Sequence, residues 1–182
     1  GLLSSISWYH YSDFTRSSNF LIGTTSLAGG NSNFIGSSTE LDAEDFEVLE
    51  VYHELSLYPY GVPLRPFFDV AMNVANKSEQ NDEALAWALG TKLGGVVKKG
   101  DWELSYAYKR IENDSVVGAF NDSDFGLGHS GKRGHAFKGA YAVTEHMQLN
   151  AALFFVNNLT TGTASVRDEE QRRFQLDVGW KF

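Results

Sequence analysis

Apolar and polar residues alternate one by one along the last part of the chain. A period of two places one set of residues on each face of an extended strand, so residues 171–182 are predicted to form a strand with one apolar and one polar face. An uncovered strand edge is open to further pairing, and closure of the sheet removes that edge, so this strand is expected to close a β-barrel. The apolar face is formed by Phe174, Leu176, Val178, Trp180 and Phe182.

Seven further segments have the composition or the alternation of strands. The first is assigned by its aromatic and β-branched content, and the others alternate large apolar residues with polar or small ones. Residues 84–93 are rich in alanine and leucine, which favour helices, but the large residues at 85, 87, 89 and 93 fall on one face of a strand. Eight strands are therefore predicted, at residues 3–13, 45–58, 65–76, 84–95, 101–111, 134–144, 147–157 and 171–182.

The connections between these strands alternate in length. The segment between the first two strands is rich in Ser, Thr, Asn and Gly, which is typical of a long loop that can hold a short strand of its own. Residues 112–133 form a second long loop, whereas 59–63 and 144–146 are tight turns. Outer-membrane barrels alternate short periplasmic turns with long outer loops. The pattern predicts an antiparallel transmembrane β-barrel in a bacterial outer membrane, with both termini of this chain toward the periplasm.

Aromatic residues support the same interpretation. They fall near the predicted strand ends, where the aromatic girdles of membrane barrels lie. A soluble barrel would have an apolar interior and a polar exterior, and it would leave both this banding and the charged row of each strand unexplained. The aromatic residues concerned are Trp8, Tyr58, Tyr60, Trp87, Trp102, Tyr108 and Trp180.

Composition narrows the class of protein further. The 182 residues suffice for one domain, and no run of them approaches the roughly 20 apolar residues of a membrane-spanning helix. The formal net charge of -8 and the lack of a basic cluster exclude nucleic acid as an expected partner. The absence of cysteine suits passage through an oxidising periplasm. The chain starts without a signal peptide, so either one was removed or the chain begins inside a longer protein.

Several motifs after about residue 45 allow a comparison with known families. They are Gly100-Asp101-Trp102, the strand Tyr106-Ala107-Tyr108-Lys109-Arg110, the loop Ala119-Phe120-Asn121-Asp122-Ser123-Asp124-Phe125-Gly126, the glycines before His135, the last strand ending in Phe182, and the hairpin from Asp45 to Lys77. Together they resemble the C-terminal half of the bacterial family called putative porins. The loop motif is the most specific part of this resemblance.

The resemblance implies a channel for small solutes in a Gram-negative outer membrane. Members of that family carry a signal peptide and further strands upstream. The eight strands therefore either close by themselves or form the C-terminal part of a larger barrel, and we expect the second arrangement. An eight-stranded barrel alone has an interior about filled by side chains and conducts little.

The polar face of the strands supplies candidate pore-lining residues. In porins such charges set the ion preference of the pore, although they can also simply pair with one another across strands. Small residues crowd the same face at Ala86, Ala88, Gly90, Ala107, Ala136, Ala140 and Ala142, so a segment packed closely there is expected, with Asn121, Asp122, Ser123, Asp124 and Phe125 as constriction-loop candidates. The pore-lining candidates are Glu50, Glu54, Arg65, Asp69, Lys92, Glu103, Lys109, Lys138, Arg173, Asp177 and Lys181.

Other chemistry is weakly indicated. Asp122 and Asp124, with Asp114, could collect a hard cation such as calcium, but their spacing does not match an EF-hand, and a polar turn is favoured. The five histidines have no Asp or Ser at a spacing that would form a catalytic pair. We therefore predict no catalytic residue, no metal and no other cofactor.

The sequence predicts an outer-membrane porin, a passive diffusion channel for small hydrophilic solutes or ions. The alternative is a non-conducting structural or recognition barrel that binds a partner or lipopolysaccharide through its outer loops. A third alternative, an outer-membrane hydrolase, would need His, Asp and Ser clustered near one rim. The expected partners are outer-membrane lipid and lipopolysaccharide, other copies of the chain, and the barrel assembly machinery, for which Trp180 and Phe182 would be the assembly signal.

Overall fold

Eight antiparallel strands form a single sheet in chain order. The computed structural model describes residues 1–11, 46–75, 84–159 and 170–181. Within these residues, no helix is long and apolar enough to cross a membrane. The strands are β1 (Leu2–Tyr11), β2 (Phe46–Leu55), β3 (Leu64–Asn73), β4 (Leu85–Gly94), β5 (Trp102–Ile111), β6 (Lys132–Ala142), β7 (Met147–Asn158) and β8 (Gln171–Trp180).

The all-β prediction, the number of strands and the alternation of connection lengths are confirmed. The alanine-rich segment forms β4 and not a helix. The second strand was predicted to reach residue 58 but ends at Leu55, because Pro59–Gly61 forms a 3-10 turn in which Tyr60 has a φ of 52°. The second long loop ends at residue 131, since β6 begins at Lys132. Predicted strand residues 12–13, 45, 76 and 182 lie outside the described part of the chain.

The sheet has two faces of opposite character. Paired residues on neighbouring strands point to the same side, so the alternation of each strand continues across the sheet. We call the apolar side the outer face. Its large side chains are exposed, as in Ile6 at 75% and Leu176 at 65%. The exposed outer-face residues include Leu2, Ile6, Trp8, Leu49, Leu55, Phe68, Met72, Leu85, Leu89, Trp102, Leu104, Phe137, Tyr141, Leu149, Leu153, Phe174, Leu176, Val178 and Trp180.

The connection between β5 and β6, residues 112–131, covers the opposite side of the sheet. We call this segment the inner loop and the side it covers the inner face. One buried cluster joins Phe125 of the inner loop to Phe154 and Val156 of β7, and a second joins Val117 to Val48 of β2. The two buried clusters of the described structure therefore both lie between the sheet and the inner loop.

Contacts of the inner loop require the sheet to curve around it. In a flat sheet, seven strand spacings of about 4.8 Å would separate β1 from β8 by about 34 Å. The register places Arg173 level with Leu3, about 26 Å along β1 from Tyr11. Yet Phe120 contacts Tyr11 with ring centroids 5.7 Å apart, and Ser123 accepts a hydrogen bond from Arg173. Phe120 and Ser123 are three residues apart and span at most about 11 Å. Even with extended side chains, they could not contact both Tyr11 and Arg173 across a flat sheet. The inner face is therefore concave.

The two ends of the sheet remain unjoined. Among the described residues, β1 pairs only with β2 and β8 pairs only with β7. The described strands thus form a curved, open sheet, and each of its edges presents unpaired backbone groups.

Candidate functional site

The inner loop is fixed to β6 and β7 by an aromatic side chain. Phe125 is only 1% exposed and packs against Phe154 and Val156 of β7, with Ala136 of β6 completing the cluster. The small side chain at Ala136 leaves the space that the Phe125 ring occupies. Burying a phenylalanine is worth about 2 to 3 kcal/mol, so this contact is a strong anchor of the loop.

A second anchor holds the inner loop to β1, β2 and β3, at the other end of the strand order. Val117 packs against Val48 of β2, and Phe120 meets the ring of Tyr11 on β1. At the end of β3, the buried amide of Asn73 donates a hydrogen bond of 3.0 Å to the backbone oxygen of Asp114. The inner loop is therefore held on the concave face by β1–β3 near one edge of the sheet and by β6 and β7 near the other.

Polar contacts hold the middle of the inner loop. The Lys109 ammonium of β5 lies 3.3 Å from Asp122. On β8, Gln175 donates to Asp124 at 2.7 Å, and Arg173 donates to the Ser123 backbone oxygen at 2.9 Å and lies 3.4 Å from Asp124. The two carboxylates are thus drawn to different strands, Asp122 to β5 and Asp124 to β8.

Two titratable groups of the inner loop are shifted from their ordinary behaviour. Burial would raise the pKa of Asp122, but a hydrogen bond from the backbone N–H of Asp124 and the charge of Lys109 outweigh it and lower the pKa. Burial lowers the pKa of His129, and the nearby charge of Lys132 lowers it further. Both shifts favour the protonation states that prevail at neutral pH.

Glycines make the sharp return of the inner loop possible. Gly126, Gly128 and Gly131 have φ between 65° and 75°, a region that other residues rarely adopt, and Leu127 shares it at 65°. A Cβ atom at Gly131 would collide with the side chain of Asn113.

Charged residues beside the inner loop pair across intervening strands. Arg65 of β3 reaches Glu103 of β5 at 2.7 Å and also donates to the carbonyl oxygen of Gly94 on the strand between them. Lys92 of β4 reaches Glu54 of β2 at 3.1 Å and lies over the ring of Phe67 on β3. Pairing of this kind weakens the field of each charge in the space in front of the sheet.

The remaining charged candidates are differently placed. Glu50 accepts a hydrogen bond of 2.8 Å from the Tyr9 hydroxyl, and Asp69 lies on the same face two strand positions away. Lys138 lies over the ring of Phe154, and Asp177 is exposed on β8. Neither of the last two forms an ion pair with another described residue. Lys181 follows the end of β8, and its backbone N–H donates to the His146 oxygen.

The weak indication of a cation site finds no support in the arrangement of the acids. Asp122 and Asp124 face different basic partners, and Asp114 is buried at the β3 end of the loop. No group of three or more His, Cys, Asp or Glu residues suited to a metal ion occurs among the described residues. The proposed assembly residue Trp180 ends β8 on the outer face, and Phe182 lies outside the described residues.

Several contacts of the inner loop were not anticipated from the sequence. Gln175 was not singled out, and nothing in its spacing distinguishes it, whereas Asn73 was noted only as part of the hairpin from Asp45 to Lys77. Phe67 and Phe154 carried a signal, because each is an aromatic residue in an otherwise polar or small row of its strand. Such an exception marks a position on the inner face that another side chain covers.

A comparison with families of known proteins gives a match over most of the chain. A sequence model for a family described as putative porin matches residues 45–182, which is more than half of the chain. No curated protein and no solved structure matches significantly.

Proposed function

Because the chain belongs to the putative porin family, we propose that it forms a passive diffusion channel for small hydrophilic solutes or ions in a bacterial outer membrane. Family membership supports a non-enzymatic role of this kind.

The observation that carries the proposal is the opposite character of the two faces. The outer face exposes a continuous band of leucine, phenylalanine, tryptophan and valine side chains, far more apolar surface than a soluble protein leaves in water. Most charged residues of the strands, such as Arg65, Lys92 and Lys109, lie on the concave inner face. A hydrocarbon environment outside and water inside satisfy both faces at once.

The inner loop would then narrow the water-filled path. It projects onto the concave face and is fixed there at both sides, so it reduces the open cross-section at the level of Asp122, Ser123 and Asp124. We propose that these residues form the constriction and that the inner-face charges line the pore. Selectivity would depend most on charges without a close partner, such as Lys138 and Asp177, since paired charges largely cancel.

Closure of the barrel requires partners for both edges. Unpaired backbone groups of β1 and β8 are costly in hydrocarbon, so the edges pair either with each other or with further strands of a larger barrel. In the proposed orientation, the short turns and both ends of this chain face the periplasm. Lipid would contact the outer face, outer loops would meet lipopolysaccharide, and the assembly machinery would read the last strand.

Current recordings from the full-length protein in planar lipid bilayers test the proposal. Stepwise increases in conductance are expected from protein whose heat-modifiable migration on gels demonstrates a folded barrel. Folded protein that inserts without any conductance would contradict the channel. It would favour the alternative, a structural or recognition barrel that acts through its outer loops.

A further inference from the structure

Two adjoining cavities lie between the inner loop and strands β1–β5. One, of about 250 Å³, is bounded by Tyr9, Tyr11 and Phe120. The other, of about 190 Å³, is bounded by Asp69, Lys109 and Asp122. The two cavities share lining residues, among them Glu50 and Asn121.

Small side chains on the inner face create this space. Ala71, Ala86 and Ala88 of β3 and β4 form the floor beneath the loop. The loop cannot settle onto this floor, because it is fixed on one side by Val117 on Val48 and on the other by Phe125 in its own cluster. The cavities therefore follow from the two anchors of the inner loop.

The charges around the cavities favour a cation. Lys109 is engaged by Asp122 at 3.3 Å and by the ring of Phe125, which leaves Glu50 and Asp69 without a basic partner among the described residues. Glu50 lies opposite Ala71, so the two acids are diagonal neighbours on adjacent strands, about 7 Å apart. An ammonium group between them could donate to both carboxylates.

Buried polar atoms in the same place lack partners. In the described part of the chain, neither Asp69 Oδ1 nor Asn121 Nδ2 has a hydrogen-bond partner, although both atoms are shielded from solvent. A shielded carboxylate oxygen without a donor is unfavourable, and a bound donor would remove that cost. The acid pair therefore differs from fully solvated surface acids, because one of its oxygen atoms is shielded from water and lacks a donor.

Aromatic rings at the other end of the cavities complete the site. Tyr9 and Tyr11 stack with centroids 6.5 Å apart, and Phe120 closes against Tyr11. Aromatic faces attract cations and also pack against hydrocarbon. We propose that these cavities bind a small organic ammonium compound, with its ammonium group between Glu50 and Asp69 and its hydrocarbon part against Tyr11 and Phe120. The inference rests on the proposed channel only in that solutes reach the cavities from the pore.

Binding of n-butylammonium to the full-length protein in detergent micelles tests the site by titration calorimetry. Saturable binding is expected, and Asp69→Asn and Glu50→Gln should each weaken it about tenfold, since a charge-assisted hydrogen bond is lost. Asp177→Asn removes a negative charge from the same face outside the cavities and should leave the affinity unchanged. Heat-modifiable migration on gels identifies the folded variants. If Asp69→Asn does not assemble, the affinity of Glu50→Gln for n-butylammonium tests the site.

Two outcomes would overturn the site. The first is absence of saturable binding, and the second is equal affinity for n-butylammonium, the uncharged n-butanol and the anionic butyrate. Bilayer recordings separate this inference from the proposed function. Folded protein that binds the amine without conducting would retain the site and refute the channel, whereas a channel that conducts without binding would refute the site alone.

Discussion

Arg173 of β8 donates a hydrogen bond of 2.9 Å to the backbone oxygen of Ser123, fifty residues earlier in the chain. The same guanidinium lies 3.4 Å from the carboxylate of Asp124. These contacts tie the middle of the inner loop to the last strand of the sheet. They are partly exposed, in contrast to the buried anchor at Phe125, so this tie is the weaker of the two and the easier to release.

Replacement of Arg173 should loosen the inner loop without unfolding the sheet. Arg173→Ala removes the contacts with Ser123 and Asp124, at a cost of about 1 kcal/mol for partly exposed charged groups. We expect a larger or noisier single-channel conductance. Arg172→Ala is the matched control, because Arg172 points to the opposite face and pairs with Glu170. Equal conductance changes in the two variants would contradict the assigned role of Arg173.

Loss of Phe125 should be more severe. Phe125→Ala empties the cluster with Phe154 and Val156, and the cost of removing a buried phenylalanine is about 3 to 5 kcal/mol. The packed state of the inner loop should be lost, which protease cleavage within residues 112–131 of the folded protein would detect. Phe120→Ala provides the comparison, since that side chain is 58% exposed and its removal should change cleavage much less.

Substitution of Gly90 tests how closely neighbouring groups pack over β4 on the inner face. A Cβ atom there would lie 2.5 Å from the Phe67 ring and 2.5 Å from the Tyr106 backbone oxygen. Gly90→Ala should therefore destabilise the sheet by about 1 to 3 kcal/mol, measured as a lower temperature of heat modification. At Gly95 the same change meets no atom within 4 Å, so Gly95→Ala should leave this temperature nearly unchanged.

Ion selectivity should respond most to the inner-face charges that lack ion pairs. Lys138→Gln should shift the reversal potential in a salt gradient toward cation preference, and Asp177→Asn should shift it toward anion preference. Glu103→Gln is predicted to do less than Asp177→Asn, although it also leaves Arg65 uncompensated. Unchanged reversal potentials in both Lys138→Gln and Asp177→Asn would place these residues outside the conducting path.

Acidification should release the inner loop in two steps. His129 has a lowered pKa, so the stability it contributes is present above its ordinary value of 6.5 and falls as the pH drops below it. Asp122 also has a lowered pKa, so its contribution is present above 3.8 and is lost as the pH falls further. Current fluctuations should increase from pH 7 to pH 5, and His129→Gln should remove this first increase. A variant with an unchanged pH response would exclude His129 as its origin.

The strands could be predicted because one face of the sheet is apolar and the other is polar. Alternation from Phe174 to Trp180 indicates these two faces, and the same pattern identified every other strand except the first, which was assigned by its aromatic and β-branched content. The ends were less accurate, as at Leu55, because proline and positive φ at Tyr60 end a strand that alternation alone would continue.

The arrangement of the inner loop was only partly predictable. Small residues such as Ala136 indicated that a segment packs on the inner face, and the adjacent loop was named as the candidate. That Phe125 fills this space, and that Asp122 and Asp124 turn toward different strands, depends on long-range contacts without a local pattern. The role of Asn73 was not predictable either, because its hydrogen bond to the backbone oxygen of Asp114 is a long-range contact.

Cysteine modification along β8 tests the division of the two faces most directly. These 182 residues contain no cysteine, so each single substitution introduces the one thiol among them. A charged, water-soluble methanethiosulfonate reagent would be applied to channels in planar bilayers that carry Asp177→Cys or Val178→Cys. We predict a rapid, irreversible change in conductance for Asp177→Cys and none for Val178→Cys, whose side chain lies on the outer face. A conductance change at Val178→Cys, with none at Asp177→Cys, would contradict the proposed channel.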